Sequence, residues 1–221
     1  MLRESFVNHI KKLERYITEM TEMVVTAIDR SIEALKSRDI EQARRIIADD
    51  SLINHKRWEI EEHCINLIAT QQPVASDLRE IIAVMNIITD LERIGDYAEG
   101  IAKIVVLLGT EPLVQPLDAI PKMAQLATDM LKRSIDSFLK RDAKAAVAIC
   151  NEDDVIDALY DKVYGELIKR MIEEPATITR ATYHMWAAHN IERIGDRVTN
   201  ICERITFLVT GSIEEINVSK Y

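Results

Sequence analysis

The 221 residues include only six glycines and five prolines, about half the share usual in soluble proteins. So few chain breakers leave little room for turns, and the chain reads as long helices. Aromatic residues are 5% and charged residues 29%, a profile of amphipathic helices around a bundle core rather than of a sheet. Positive charge is also short. The formal net charge is −9, and without a basic surface nucleic acid is excluded as a direct partner. Such a balance suits a binder of cations or of basic protein surfaces. No apolar run approaches the roughly 18 residues of a membrane helix; the longest, 101–108, is interrupted by Lys103. The start, MLRESFVNHIKK, has no apolar signal core, so neither membrane insertion nor export is expected and the cytoplasm is. Three cysteines, Cys64, Cys150 and Cys202, are odd in number and far apart. They suit neither a disulfide framework nor a zinc knuckle, and are expected as buried, reduced thiols.

What is present is a repeat. The few breaks fall at LKSRD (35–39), QQPVASD (71–77), GTEPLVQPLD (109–118), LKRD (139–142) and EEPATIT (173–179). Between them lie six stretches with apolar residues at three-to-four spacing, the helical period. SIEALKSRD (31–39) matches SIDSFLKRD (134–142), Gln-Gln-Pro at 71–73 matches Glu-Glu-Pro at 173–175, and ERIGD occurs at 92–96 and again at 192–196. Three landmarks in one order at a nearly constant offset mean internal duplication. The expected fold is all-α, two tandem three-helix bundles packed about a pseudo-two-fold axis. The expected units are a first repeat over 1–108, a linker over 109–118, a second repeat over 119–212 and a tail over 213–221.

On a helix, Val84, Ile88, Leu91, Gly95, Ala98 and Ala102 form an apolar stripe, with Glu92, Asp96 and Glu99 on its flank. Arg93, Tyr97 and Asp90 are expected to face solvent. In the second copy Ile191, Gly195, Val198 and Cys202 make the stripe, and Glu192, Asp196 and Glu203 the flank, with Thr199 or Asn200 between. Like charges one turn apart cost a few tenths of a kcal/mol on a helix and more when desolvated. Arg79 or Arg193 could offset that as ion-pair partners; so could a hard cation such as Mg²⁺, Ca²⁺, Mn²⁺ or iron. Gly95 and Gly195 stand mid-helix, where glycine costs about 1 kcal/mol against alanine, and a close approach by another helix explains both. A second acidic pattern, Asp50 with Asn54 and Asp153 with Asp157, would complete an oxygen cage in each half if those edges face ERIGD. Otherwise these are acids of a first helical turn. His189 shares the flank of Glu192 and is a possible extra ligand, although Thr89 replaces it in the first half.

At these motifs the sequence resembles the PhoU family, accessory regulators of bacterial and archaeal phosphate transport. The resemblance covers nearly the whole chain and rests on QPVASDLREII (72–82), DLERIGDYAEGIA (90–102), NIERIGDRVTNICE (190–203) and the acidic segments of the second and fifth helices. It implies two three-helix bundles. It also implies metal ions, in some members multinuclear clusters (iron, zinc, manganese or magnesium), at a repeated E(D)xxxD motif that falls here on Glu92/Asp96 and Glu192/Asp196. Family members commonly carry Asn and an acid where this chain has Gly100 and Lys103; only the second copy keeps both, as Asn200 and Glu203. The resemblance further implies a homodimeric regulator rather than a catalyst. Such a regulator restrains the phosphate-starvation response by linking the ATPase subunit of a phosphate ABC transporter to a sensor histidine kinase.

Two other readings stand beside it. A carboxylate-bridged di-metal oxidase needs Glu-x-x-His pairs, but the residues three before each histidine are Phe6, Leu52, Ile60, Ala181 and Trp186. Nor is there a phosphate-binding P-loop pattern. A metal-free helical adaptor is the stronger rival.

Overall fold

The computed structural model describes residues 2–114, 118–212 and 216, with side chains from Phe6 onward. Residues 115–117 of the expected linker, and the expected tail apart from Ile216, lie outside the described residues. The described residues form seven α-helices: α1 (Leu2–Ser37), α2 (Ile40–Gln71), α3 (Ser76–Leu108), α4 (Ala119–Lys140), α5 (Ala143–Cys150), α6 (Asp153–Glu173) and α7 (Ile178–Thr210). A short 3₁₀ turn, Pro175–Thr177, precedes α7. No strand occurs among the described residues.

The repeated SRD and KRD breaks are one turn made twice. Arg38 and Arg141 both adopt the left-handed conformation, at φ 57° and 55°. Asp39 then caps α2 by accepting from Gln42 N–H, and Asp142 caps α5 by accepting from Ala145 N–H. An aspartate N-cap contributes about 1 kcal/mol and starts the next helix at a defined residue. The halves differ after this turn. Where α2 runs unbroken, the equivalent stretch breaks at Asn151 and Glu152 into α5 and α6. The sequence periodicity suggests a single helix there. In the structure Glu152 leaves the helical line and its carboxylate is held by Arg133 of α4, and Asp153 opens a new first turn.

α3 and α7 make the most extensive contact between elements and run antiparallel. Asp90 meets Asn200, while a methyl group on Gly100 would sit 2.8 Å from Asn190 Oδ1. These pairings put the two ERIGD copies side by side about the pseudo-two-fold, with α1 and α2 covering α3, and α4, α5 and α6 covering α7. One buried core runs through both halves. The predicted stripe is all buried: Val84, Ile88, Leu91, Gly95, Ala98 and Ala102 on α3, and Ile191, Gly195, Val198 and Cys202 on α7. Burial extends further, to Ile81, Ile87, Ile94 and Ile101, because α3 is packed on more than one side. Cys64, Cys150 and Cys202 are buried free thiols.

Asp90 does not face solvent as expected. Packing of α7 covers it, and it accepts from Asn200 at 3.4 Å and lies 3.6 Å from Arg197. Burial raises its pKa, against the lowering effect of Asn200 and Arg197. Tyr97 is half-buried too and bonds Arg193 across the same interface. Only Arg93 is exposed.

Candidate functional site

Each ERIGD glycine lies under the acidic edge of a neighbouring helix. A methyl group on Gly95 would meet Ile53 of α2 at 3.1 Å and Asp50 Oδ1 at 3.6 Å; one on Gly195 would collide with Asp153 Oδ1 and meet Ile156 of α6 at 3.3 Å. The glycines therefore admit side chains of a facing helix, and in doing so bring the two acidic patterns of each half together. Asp153 is a first-turn acid of α6, whereas Asp50 is mid-helix in α2, so the helix-dipole account covers only the second half.

In the first half the carboxylates have cationic or amide partners. Arg57 of α2 reaches Glu92 at 3.5 Å, Arg93 reaches Asp96 at 3.4 Å, and Lys103 reaches Glu99 at 2.6 Å. Asn54 donates to Asp50 at 2.8 Å. Asp50 still has a raised pKa, from burial first and then from Glu99 and Asp96. Its set opens into a cavity of about 520 Å³ between α1, α2 and α3.

The second half keeps the acids and lacks most of those partners. The alignment of 49–54 with 152–157 continues to place Tyr160 where Arg57 stands, and Glu203 replaces Lys103. Arg193 reaches Asp196 at 3.1 Å; Arg79, the other expected partner, lies instead against Gly211 at the end of α7. Asp153 is 4% exposed and Glu192 9% exposed, yet Asp153 Oδ1 and Glu192 Oε2 have no hydrogen-bond partner. Their pKa values rise accordingly. Asp153 is pushed up to about 8, by burial first and then by Asp157, Asp196 and Glu192. Glu192 is pushed up to about 7, by burial and then by Asp196 and Asp157. Asp157 is raised by burial and then by Asp196. His189 Nδ1 lies 3.2 Å from Glu192 Oε2 without hydrogen-bond alignment. Burial and then Arg193 lower its pKa, so it does not supply a firm positive charge.

Two expected ligands fall away from this set. Asn200 turns to Asp90 across the α3–α7 interface. Glu203, two turns beyond Asp196, accepts from Ile216 N–H at 3.1 Å. Both are drawn off by packing partners that helical spacing does not reveal. Arg57 and Tyr160, by contrast, matter to the site and are legible once the repeat alignment is carried past residue 54. No three Asp, Glu, His or Cys side chains among the described residues are placed so that they could hold one ion. The donor chemistry of the second set nonetheless fits a cation, because two buried carboxylate oxygens there, Asp153 Oδ1 and Glu192 Oε2, have no hydrogen-bond partner. The first set fits less well, being neutralised by its own arginines and lysine.

An all-helical, internally duplicated bundle with paired acidic edges defines the class of protein, and comparison with known proteins defines the family. The PhoU domain matches the chain twice, over residues 17–105 and 120–205: the chain belongs to the PhoU family. It is 36% identical over 98% of its length to the whole of a Clostridium acetobutylicum protein named phosphate-specific transport system accessory protein PhoU homolog. A Rhizobium meliloti protein of the same name is also 36% identical, over 96% of this chain and 90% of its own length. The crystal structure of PhoU from Pseudomonas aeruginosa superposes with a TM-score of 0.89 at 30% identity, covering 94% of this chain and all of that one. The phosphate transport system regulatory protein PhoU from Streptococcus pneumoniae matches at 0.89 and 32% identity, over 95% of this chain and 99% of its own.

Proposed function

We propose that the protein is an accessory regulator of phosphate transport that works by contact rather than by catalysis. The observation that carries this is the end-to-end likeness to proteins named for that role, at about one-third identity through both repeats. The protein acts in the cytoplasm and negatively controls the phosphate-starvation response by contacting the ATPase subunit of a phosphate ABC transporter and a sensor histidine kinase. No described helix is long and apolar enough to cross a membrane, which agrees with a role at the cytoplasmic face. It pairs as a homodimer; exposed apolar residues such as Ile172, Ile178 and Trp186 offer surface for association. Deleting the gene should derepress a phosphatase reporter in high phosphate, and purified protein should bind the ATPase subunit or the kinase in a salt-sensitive manner. Unchanged reporter output and phosphate uptake, in both high and low phosphate, would refute the assignment.

The second acidic set is the metal site of this reading, with Asp153, Asp157, Glu192 and Asp196 as its holders. A bound cation would supply positive charge to a set of four carboxylates for which the fold provides one arginine, Arg193. The first set, with Asp50, Glu92, Asp96 and Glu99, is the weaker site because Arg57, Arg93 and Lys103 already occupy its electrostatic role. Iron, zinc, manganese or magnesium, singly or as a cluster, are the candidate ions. Elemental analysis of protein purified without chelator tests occupancy; a metal-free protein with full regulatory activity would leave the adaptor reading in its place.

A further inference from the structure

A second kind of metal-ligating chemistry lies outside the acidic sets, at the open end of the α1–α2 hairpin. His9 on α1 and His63 on α2 bring Nδ1 and Nε2 to 3.4 Å of each other, with ring centroids 5.3 Å apart and planes tilted by 44°. This is longer than a usual hydrogen bond between ring nitrogens. It equals the separation of two nitrogens bound tetrahedrally to one zinc ion at bond lengths of about 2.0–2.1 Å, which is about 3.3–3.4 Å. Both side chains are half-buried, open enough for an ion to reach and for water to complete its shell. The neutral imidazole is the form that ligates.

Among the described residues, the groups around the pair are few. Tyr16 packs edge-on against His63 at 6.1 Å, and Lys56 lies over the Tyr16 ring at 4.0 Å. Glu59, one turn before His63, is held by Lys56 at 3.1 Å. Among the described residues no carboxylate joins the pair in a three-ligand set, so the pair offers nitrogen donors, and Lys12 opposes the approach of a cation. That combination disfavours hard ions such as Mg²⁺ and leaves the borderline ions that imidazole suits.

The geometry points to a bis-histidine site at His9 and His63 that binds a borderline transition-metal ion, with Zn²⁺, Ni²⁺ and Cu²⁺ as the class, and staples the start of α1 to the end of α2. The site shares no residue with the acidic edges and does not rest on the regulatory reading. It requires His9 to carry its proton on Nε2 and His63 on Nδ1, so that the facing nitrogens are free.

The test is calorimetric titration of chelator-stripped full-length protein with Zn²⁺, in excess Mg²⁺ to occupy oxygen sites. Wild type is compared with His9→Ala, His63→Ala, His63→Asn and the double variant Glu192→Gln, Asp196→Asn. The expected result is a Zn²⁺ site that persists in the double variant and weakens at least about tenfold in every histidine variant. Each variant's unfolding midpoint in chelator reports whether it folds; His9, near the chain start, can be replaced with little effect on the core. Slower amide exchange over residues 6–16 on adding Zn²⁺ is the second expected readout. Zn²⁺ binding that survives in His9→Ala and His63→Asn, that is lost only in the acidic double variant, or that is absent from wild type would overturn the proposal.

Discussion

Three glycines and a histidine show how much one side chain decides. Gly165 lies exposed in the interior of α6, with no atom within 4 Å of where a methyl group would go. Gly165→Ala should therefore stabilise the protein by about 0.5–1 kcal/mol, the difference in helix preference; urea unfolding measures it. Gly195→Ala should act in the opposite sense, because its methyl group takes the space of Asp153 Oδ1. Gly95→Ala should be milder, because the nearest atoms are those of Ile53 at 3.1 Å. His184 is fully buried, its Nδ1 bonded to Arg180 carbonyl at 2.6 Å and its Nε2 without a partner. Burial lowers its pKa from 6.5. The unfolded chain then binds the proton first as pH falls, so stability is fully present above about pH 6.5 and is lost progressively below it. His184→Leu should reduce the slope of unfolding midpoint against pH between about 7 and 5; an unchanged slope would mean the histidine is not the group responsible.

At the scale of elements, the two acidic edges make a natural comparison on one backbone plan. In metal-free protein, Glu192→Gln with Asp196→Asn should raise the unfolding midpoint slightly, by removing like charge from a half-buried edge. In cation-loaded protein the same pair should lower it, because binding to the folded state contributes about 2.7 kcal/mol at a hundred times the dissociation constant. The pair Glu92→Gln and Asp96→Asn should show a weaker cation effect and should break ion pairs with Arg57 and Arg93. Exchanging the neighbours is the sharper experiment. Arg57→Tyr with Lys103→Glu moves α2 and α3 towards the environment of α6 and α7, with Asn54 still standing where Asp157 does, and should create a cation-dependent shift in the first half. Thermal scans with chelator and with Mn²⁺, Mg²⁺, Fe²⁺ or Zn²⁺ measure all of these, and equal scans throughout would dispose of the metal reading.

For the whole molecule, the halves are joined by more than the α3–α7 seam. Arg141, at the left-handed turn between α4 and α5, reaches Glu14 of α1 at 2.9 Å and also Glu80 of α3. Its guanidinium lies 4.8 Å from the centroid of the Phe138 ring. Burial raises the Glu80 pKa and Arg141 counters it, so Arg141→Ala leaves a half-buried carboxylate without its cation. That variant should unfold at lower denaturant, and Arg141→Ala with Glu80→Gln should recover part of the loss. Recovery is the informative outcome, since simple loss of packing by Arg141 would not be repaired at Glu80.

Much of the architecture was legible in the residues alone. Scarce breakers, a 3.6-residue apolar period and three repeated landmarks determined an all-helical, duplicated chain, and the buried stripes of α3 and α7 follow that period residue by residue. Helical spacing also determined that Glu92 and Asp96, and Glu192 and Asp196, share an edge, because positions one turn apart always do. Tertiary structure decided what those edges meet. Asp90 was covered by α7, Asn200 and Glu203 were drawn to Asp90 and Ile216, and Glu152 left the helix for Arg133. Each choice depends on atoms more than ten residues away. It decided, too, that Arg57 neutralises one edge while Asp153 is buried against the other, since charge compensation depends on distance and burial in the packed state and periodicity carries neither.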